Sequence, residues 1–163
     1  MHLLLLRHGD ALQQGFDDTS RPLSPLGEKQ ASVAAGTLQR FNISIDIVVS
    51  SPLERARQTA KIVQYKLNVV ESETSEYLIP DTDQCQLIQY LSRLQKPTVL
   101  LVGHEPHLSR FISNLITGTS SALISMKKGS LACLDVPSPL ERGTGSLLWL
   151  LGYEEMRSFI QPS

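Results

Sequence analysis

Three runs of this sequence are apolar without a break: Leu3-Leu4-Leu5-Leu6, Ile47-Val48-Val49 and Val99-Leu100-Leu101-Val102. A strand with one face in water alternates apolar and polar residues, whereas an unbroken run at strand length has no face to give to solvent. Such runs need cover on both sides, and the intervening segments can supply it. Ser24-Pro25 reads as a helix start, with an N-cap serine and proline at the first helical position. Ala31, Ala34, Ala35, Leu38 and Phe41 follow at helical spacing. Ser51 and Glu54 have capping-box spacing, and Leu53, Ala56, Ala60, Val63 and Leu67 supply a second stripe. Leu87, Ile88, Leu91 and Leu94 mark a third helix, and Leu108, Phe111, Ile112, Leu115 and Ile116 a fourth. Strand and helix thus alternate through the first two-thirds of the chain. This order predicts an α/β fold of three layers, α/β/α, around a mainly parallel sheet with helices on both faces.

Past residue 117 the pattern changes. Gly129 to Val136 and Ser146 to Leu151 read as two strands joined by a Pro/Gly-rich loop, 137–145, and predict an antiparallel pair at the sheet's end. Asn68 to Val70 reads as a short edge strand, and Asp10 to Pro22 as a polar loop. No repeat or linker interrupts the sequence, so a single domain over 1–163 is expected.

The formal net charge of −1 gives no reason to expect nucleic acid or an anionic membrane surface as partner. Cys85 and Cys133 stand alone, which favours buried thiols in a reducing compartment over a disulfide framework. The N-terminal leucine run is too short for a signal-peptide core or a membrane span. A cytoplasmic location is the expectation.

Chemistry gathers at the three strand ends. Arg7-His8-Gly9 ends the first; Ser50-Ser51-Pro52-Leu53-Glu54-Arg55 follows the second; Gly103-His104-Glu105-Pro106 closes the third. Ligands of open α/β sheets sit outside the carboxyl ends of strands. In a parallel sheet these ends share one edge, so two arginines, two imidazoles and helix N-terminal amides would surround one small volume. That is a site for a dianion, with no metal required. It also holds a nucleophile, because an unprotonated imidazole attacks phosphorus. Neighbouring cations would keep His8 neutral. Its other ring nitrogen would donate to a carbonyl or carboxylate. Arg7 and Arg55 would bind the equatorial oxygens, and His104 would donate to the same group.

The tripeptide, the Ser50-Ser51-Pro52 to Arg55 segment with Ala56, Gln58, Thr59 and Ala60, and the Gly103-His104 pair resemble the histidine phosphatase superfamily, of phosphoglycerate mutase-like fold. Within it they are most similar to SixA-type phosphohistidine phosphatases; Asp18, Arg21, Pro22, Leu23 and Gly27 strengthen the likeness. The resemblance spans residue 2 to about 116 and fades beyond. It implies a hydrolase with a covalent phosphohistidine intermediate on His8. It implies phosphate binding by Arg7, Arg55, His104 and, as in SixA-like members, Arg21. It implies no cofactor, and as partner a phosphohistidine-bearing protein such as a phosphotransfer domain in signal transduction. Larger members carry an acidic proton donor between the second and third motifs, and the nearest candidate here is Glu76.

The weak match at Glu76 is consistent with that substrate. An alkoxide leaving group needs a positioned acid, worth roughly a hundredfold or more, whereas a protonated phosphoimidazole departs easily. Leu67 to Thr98 has room for one helix and no capping insertion, which predicts a shallow, open site. Two other readings stand beside this one: a phosphomonoesterase acting on a small phosphorylated metabolite, and a non-catalytic module that binds phosphohistidine. Single residues also have plain readings. Arg21 pairs with Asp18, Arg57 with an acid on its own helix, and Glu76 sits exposed in a turn. His107, three residues after His104, would be an exposed first-turn residue; with no third ligand in sight, a metal pair is not expected.

Overall fold

The computed structural model describes residues 1–13, 15 and 17–160. The elements run β1 (His2–Arg7), α1 (Pro25–Arg40), β2 (Ile47–Ser50), α2 (Glu54–Leu67), β3 (Glu71–Thr74), a 3-10 turn (Glu76–Leu78), α3 (Gln84–Leu94), β4 (Thr98–Gly103), α4 (His107–Thr117), β5 (Leu131–Asp135), β6 (Ser146–Leu151) and α5 (Tyr153–Ile160). The six strands form one sheet in the order β3-β2-β4-β1-β5-β6. The first four are mutually parallel, and β5 runs antiparallel to both β1 and β6. This is the α/β architecture expected of the strand–helix alternation, with the antiparallel strand near the C-terminal end.

Alternate residues of each central strand enter opposite cores. Leu3, Leu5, Val49 and Leu101 pack with α3 and α4 through Leu87, Leu91, Leu108 and Phe111. Leu4, Leu6, Val48 and Leu100 pack with α1, α2 and α5 through Ala34, Ala60 and Met156. All four leucines of β1 are fully buried, each worth about 1.5–3 kcal/mol relative to exposure. That two-sided burial explains the missing alternation in their sequence.

Register then fixes the functional edge. Leu6 pairs with Val102, and Ser50 pairs with the same Val102 from the other side. His8 N donates to Gly103 O at 3.0 Å and Ser51 N to Val102 O at 2.9 Å, carrying the ladder just past the strands. His8 is therefore level with His104, and Ser51 stands one residue earlier, level with Arg7 and Gly103. Behind them, the turn after β1 meets the first turn of α1 backbone to backbone. A Cβ on Gly9 would run into Gly27, and one on Gly27 into the Asp10 carbonyl.

Several expectations are corrected. Ser24 does cap α1, accepting from Gly27 N at 3.2 Å. Ser51, however, does not cap α2: the N-cap position is Leu53, with no side-chain cap. The edge strand is Glu71–Thr74 and not Asn68–Val70; Asn68 closes α2 in the left-handed region. Phe41 lies past the end of α1, 39% exposed, and stacks on Trp149 and Phe159 instead of entering the core. Helix α5 had no forecast. His107 is buried, at 3% exposure, in the first turn of α4 beside the Tyr77 backbone of the 3-10 turn. Cys133 is buried and Cys85 half-buried. Among the described residues no helix is long and apolar enough to cross a membrane.

Candidate active site

His8 is 6% exposed, and its Nδ1 lies 2.7 Å from Gly9 O. A carbonyl only accepts, so Nδ1 carries the proton and Nε2 keeps a lone pair. That lone pair accepts from Arg55 Nε at 3.3 Å. Burial pushes the His8 pKa down to about 4; the Gly9 carbonyl works against this, and the positive charges of Arg55, Arg7 and Lys128 work with it. The imidazole is thus neutral at neutral pH and points its basic nitrogen at a guanidinium.

Arg55 enters from the first turn of α2, 5% exposed. Its Nη1 donates to Asp18 O at 2.6 Å, and its Nη2 lies 3.4 Å from Asp18 Oδ2. Arg21 holds the other carboxylate oxygen of Asp18 at 2.6 Å. Asp18 therefore joins the two arginines, and Arg21 reaches the cluster through it. Arg57 pairs with Glu54 on the outer face of α2. Thr59 locks α2 to the first strand end: its Oγ1 accepts from Gly9 N at 3.2 Å and donates to Arg55 O at 2.8 Å.

His104 stands face-tilted to His8, with ring centroids 4.9 Å apart. Its Nε2 lies 2.8 Å from Ser51 Oγ, which also accepts from Leu53 N at 3.3 Å. Where that hydroxyl gives its own proton to Nε2, the ring's proton sits on Nδ1. Nδ1 is buried and has no partner. Burial, with His8 and Arg55 adding to it, lowers the His104 pKa to about 3, so this ring is also neutral. Arg7 Nη1 donates to Met126 O at 2.8 Å, while its Nε is buried without a partner. Burial lowers the Arg7 pKa, and the nearby Glu105 carboxylate opposes that shift. An unpaired N–H on Arg7 and an unpaired ring nitrogen on His104 thus belong to the cluster around the His8 imidazole. Buried donors cost about 1–3 kcal/mol when unpaired; an oxyanion would satisfy both.

The structure brings together Arg7, His8, Arg55 and His104 from three different segments of the chain. Glu76 opens the 3-10 turn after β3, exposed, and no hydrogen bond or ion pair among the described residues links its side chain to these four. The carboxylate that does lie near Arg7 is Glu105, whose Oε1 accepts from Ser109 N at 3.0 Å in the first turn of α4. Three further residues take part. Ser51 has the spacing of a cap to Glu54, and Thr59 carries no chemical signal of its own. Lys128 comes from 118 residues beyond Asp10, whose carboxylate it holds at 2.6 Å. For Lys128 no sequence signal exists, since only the pairing of β5 with β1 brings it here. Between β3 and β4 lie only the 3-10 turn and α3, so no inserted domain roofs the site.

A neutral imidazole at a strand end and a cationic cluster at the carboxyl edge of an α/β sheet define a class of phosphoryl-handling protein. The family model of the histidine phosphatase superfamily (branch 1) matches residues 3–79, and the chain belongs to that superfamily and is a phosphatase. It is 29% identical over 153 residues to the phosphohistidine phosphatase SixA of Escherichia coli, covering 91% of this chain and 92% of that protein. The structure of the protein histidine phosphatase SixA complexed with tungstate superposes with a TM-score of 0.84 at 26% identity, over 94% of this chain and 97% of that one. A mycobacterial glucosyl-3-phosphoglycerate phosphatase shares the fold at TM-score 0.73 and 20% identity, over 93% and 99% of the two chains.

Proposed function

We propose that this phosphatase hydrolyses phosphohistidine on protein substrates, with His8 as nucleophile and Arg7, Arg55 and His104 as phosphate ligands. Nε2 of His8 forms a bond to phosphorus as the substrate's P–N bond breaks. The departing imidazole leaves neutral, having taken a solvent proton on its other ring nitrogen. Water then attacks the phosphorylated His8, releasing inorganic phosphate and restoring the free imidazole. In both steps charge on the equatorial oxygens is met by the guanidiniums and by His104 Nδ1–H. Arg21 is a helper, since a substrate dianion competes with Asp18 for both Arg21 and Arg55. No carboxylic acid of the chain is needed, and Glu76 is given no part. With no metal assigned to any step, chelators are expected to leave the rate unchanged.

The observation that carries this reading is the orientation of His8: Nδ1 engaged by Gly9 O, Nε2 basic and facing Arg55, and a pKa near 4. The absence of a domain over the site favours a bulky substrate over a small enclosed one. A panel assay tests it. A phosphohistidine-bearing phosphotransfer domain is expected to be dephosphorylated with far higher kcat/KM than sugar or nucleotide phosphates. Faster turnover of the phosphomonoesters overturns the substrate assignment. Phosphohistidine binding that survives in His8→Ala, with no turnover of any substrate by the unaltered protein, overturns catalysis itself.

A further inference from the structure

Beyond Arg7 the sheet's carboxyl edge continues over the ends of β5 and β6 as a groove of about 720 Å3. Arg7, Lys127 and Lys128 line it, together with Tyr153, Glu154 and Glu155 from the first turn of α5. The lysines are fixed to the site's own backbone. Gly129 N donates to the carbonyls of Arg7 and His8 at 3.2 and 3.3 Å, and Ser130 N to Lys127 O at 2.9 Å, so the turn carrying both lysines hangs from the catalytic tripeptide. A positive φ of 74° at Gly129 makes that turn possible.

The charges in the groove are not equally engaged. Lys128 is bound to Asp10, and Glu154 to Arg157. Among the described residues Lys127 and Glu155 have no ion pair, and Lys127 is exposed. One uncommitted cation and one uncommitted anion therefore share the groove with Arg7. Resting on the phosphohistidine reading above, we propose that this groove is the docking site for the polypeptide around the phosphohistidine, and that Lys127 selects an acidic residue close to it in sequence. Approach from this side puts the substrate's phosphoryl group at Arg7 while its flanking chain lies in the groove. Complementary rim charges act on encounter and specificity more than on the chemical step. Lys127 is thus a specificity residue and not part of the catalytic machinery.

The test uses two synthetic peptides, each with one phosphohistidine formed by phosphoramidate, one flanked by aspartates and the other by asparagines. Phosphoramidate itself serves as the small substrate. The unaltered protein is expected to favour the aspartate peptide in kcat/KM, and Lys127→Glu to shift that preference by about tenfold towards the asparagine peptide while phosphoramidate turnover stays unchanged. The preference should also shrink at high salt. Equal use of both peptides by the unaltered protein, or a preference that survives Lys127→Glu, overturns the docking assignment while leaving the phosphatase reading in place. Rapid turnover of phosphomonoesters with none of phosphoramidate or either peptide overturns the phosphohistidine reading, and this inference with it.

Discussion

In the proposed mechanism Ser51 sets which nitrogen of His104 carries a proton. Its hydroxyl lies between the Leu53 amide and His104 Nε2, and the resulting tautomer aims an N–H from the opposite side of the ring. Ser51→Ala should lower kcat by about tenfold, less than the 10²–10³ of losing an oxyanion donor outright. Ser51→Thr should restore most of it; an unchanged rate in Ser51→Ala removes the positioning role. Arg55→Ala should cost several kcal/mol of transition-state stabilisation, about the scale of a lost charge-assisted donor in a shielded site. The ionisation of His8 gives a third expectation. With its pKa lowered to about 4, the imidazole remains neutral as pH falls well below the ordinary histidine value of 6.5. The pH profile of kcat/KM should therefore show no acid limb centred near 6.5 from the enzyme; a limb at that position contradicts the burial-driven shift. His8, Arg7, Arg55 and His104 could be found in the sequence because their motifs follow strands whose ends a parallel sheet must align. Ser51 could not be assigned, because a serine before proline also suits a helix start.

At the scale of elements, β1 does two tasks, dividing the two cores and ending at His8, the proposed nucleophile. Leu4→Ala should destabilise the fold by about 2–5 kcal/mol, read as a lower urea midpoint with an unchanged m-value. Gly27→Ala should cost stability and activity together, because a methyl there pushes α1 away from the turn that holds His8. The strands legible in the sequence were those buried on both faces. β3, Glu-Ser-Glu-Thr, is exposed throughout and takes its conformation from pairing with β2, so its own residues carry no strand signal. Its glutamates suit an edge that must not pair with another chain. α5 escaped because it is eight residues long and buries only Met156. Lys128 escaped because antiparallel pairing across more than a hundred residues is a property of topology and not of local pattern.

The whole molecule gives up stability to keep its site neutral. His8, His104 and His107 all have lowered pKa values, with burial the largest cause in each. The folded state therefore resists protons that the unfolded chain accepts. Above 6.5 the contribution is fully present; as pH falls from 6.5 towards 4 the unfolded state binds more protons and stability is lost. Asp10 and Asp18 have lowered pKa values as well, through their hydrogen bonds to Lys128 and Arg21, and add their loss below the usual carboxylate range. The urea midpoint should accordingly decline between pH 6.5 and 4, and His8→Ala should flatten part of that decline. An equal slope in the variant would place the titration elsewhere.

The central claim is that His8 becomes covalently phosphorylated during turnover. Rapid quenching of the protein after mixing with radiolabelled phosphoramidate tests it directly. The account predicts one protein-bound phosphoryl group that is stable in alkali, labile in acid, mapped to the peptide containing His8, and absent from His8→Ala. Steady turnover with no such adduct at any quench time, or the same adduct in His8→Ala, would contradict it.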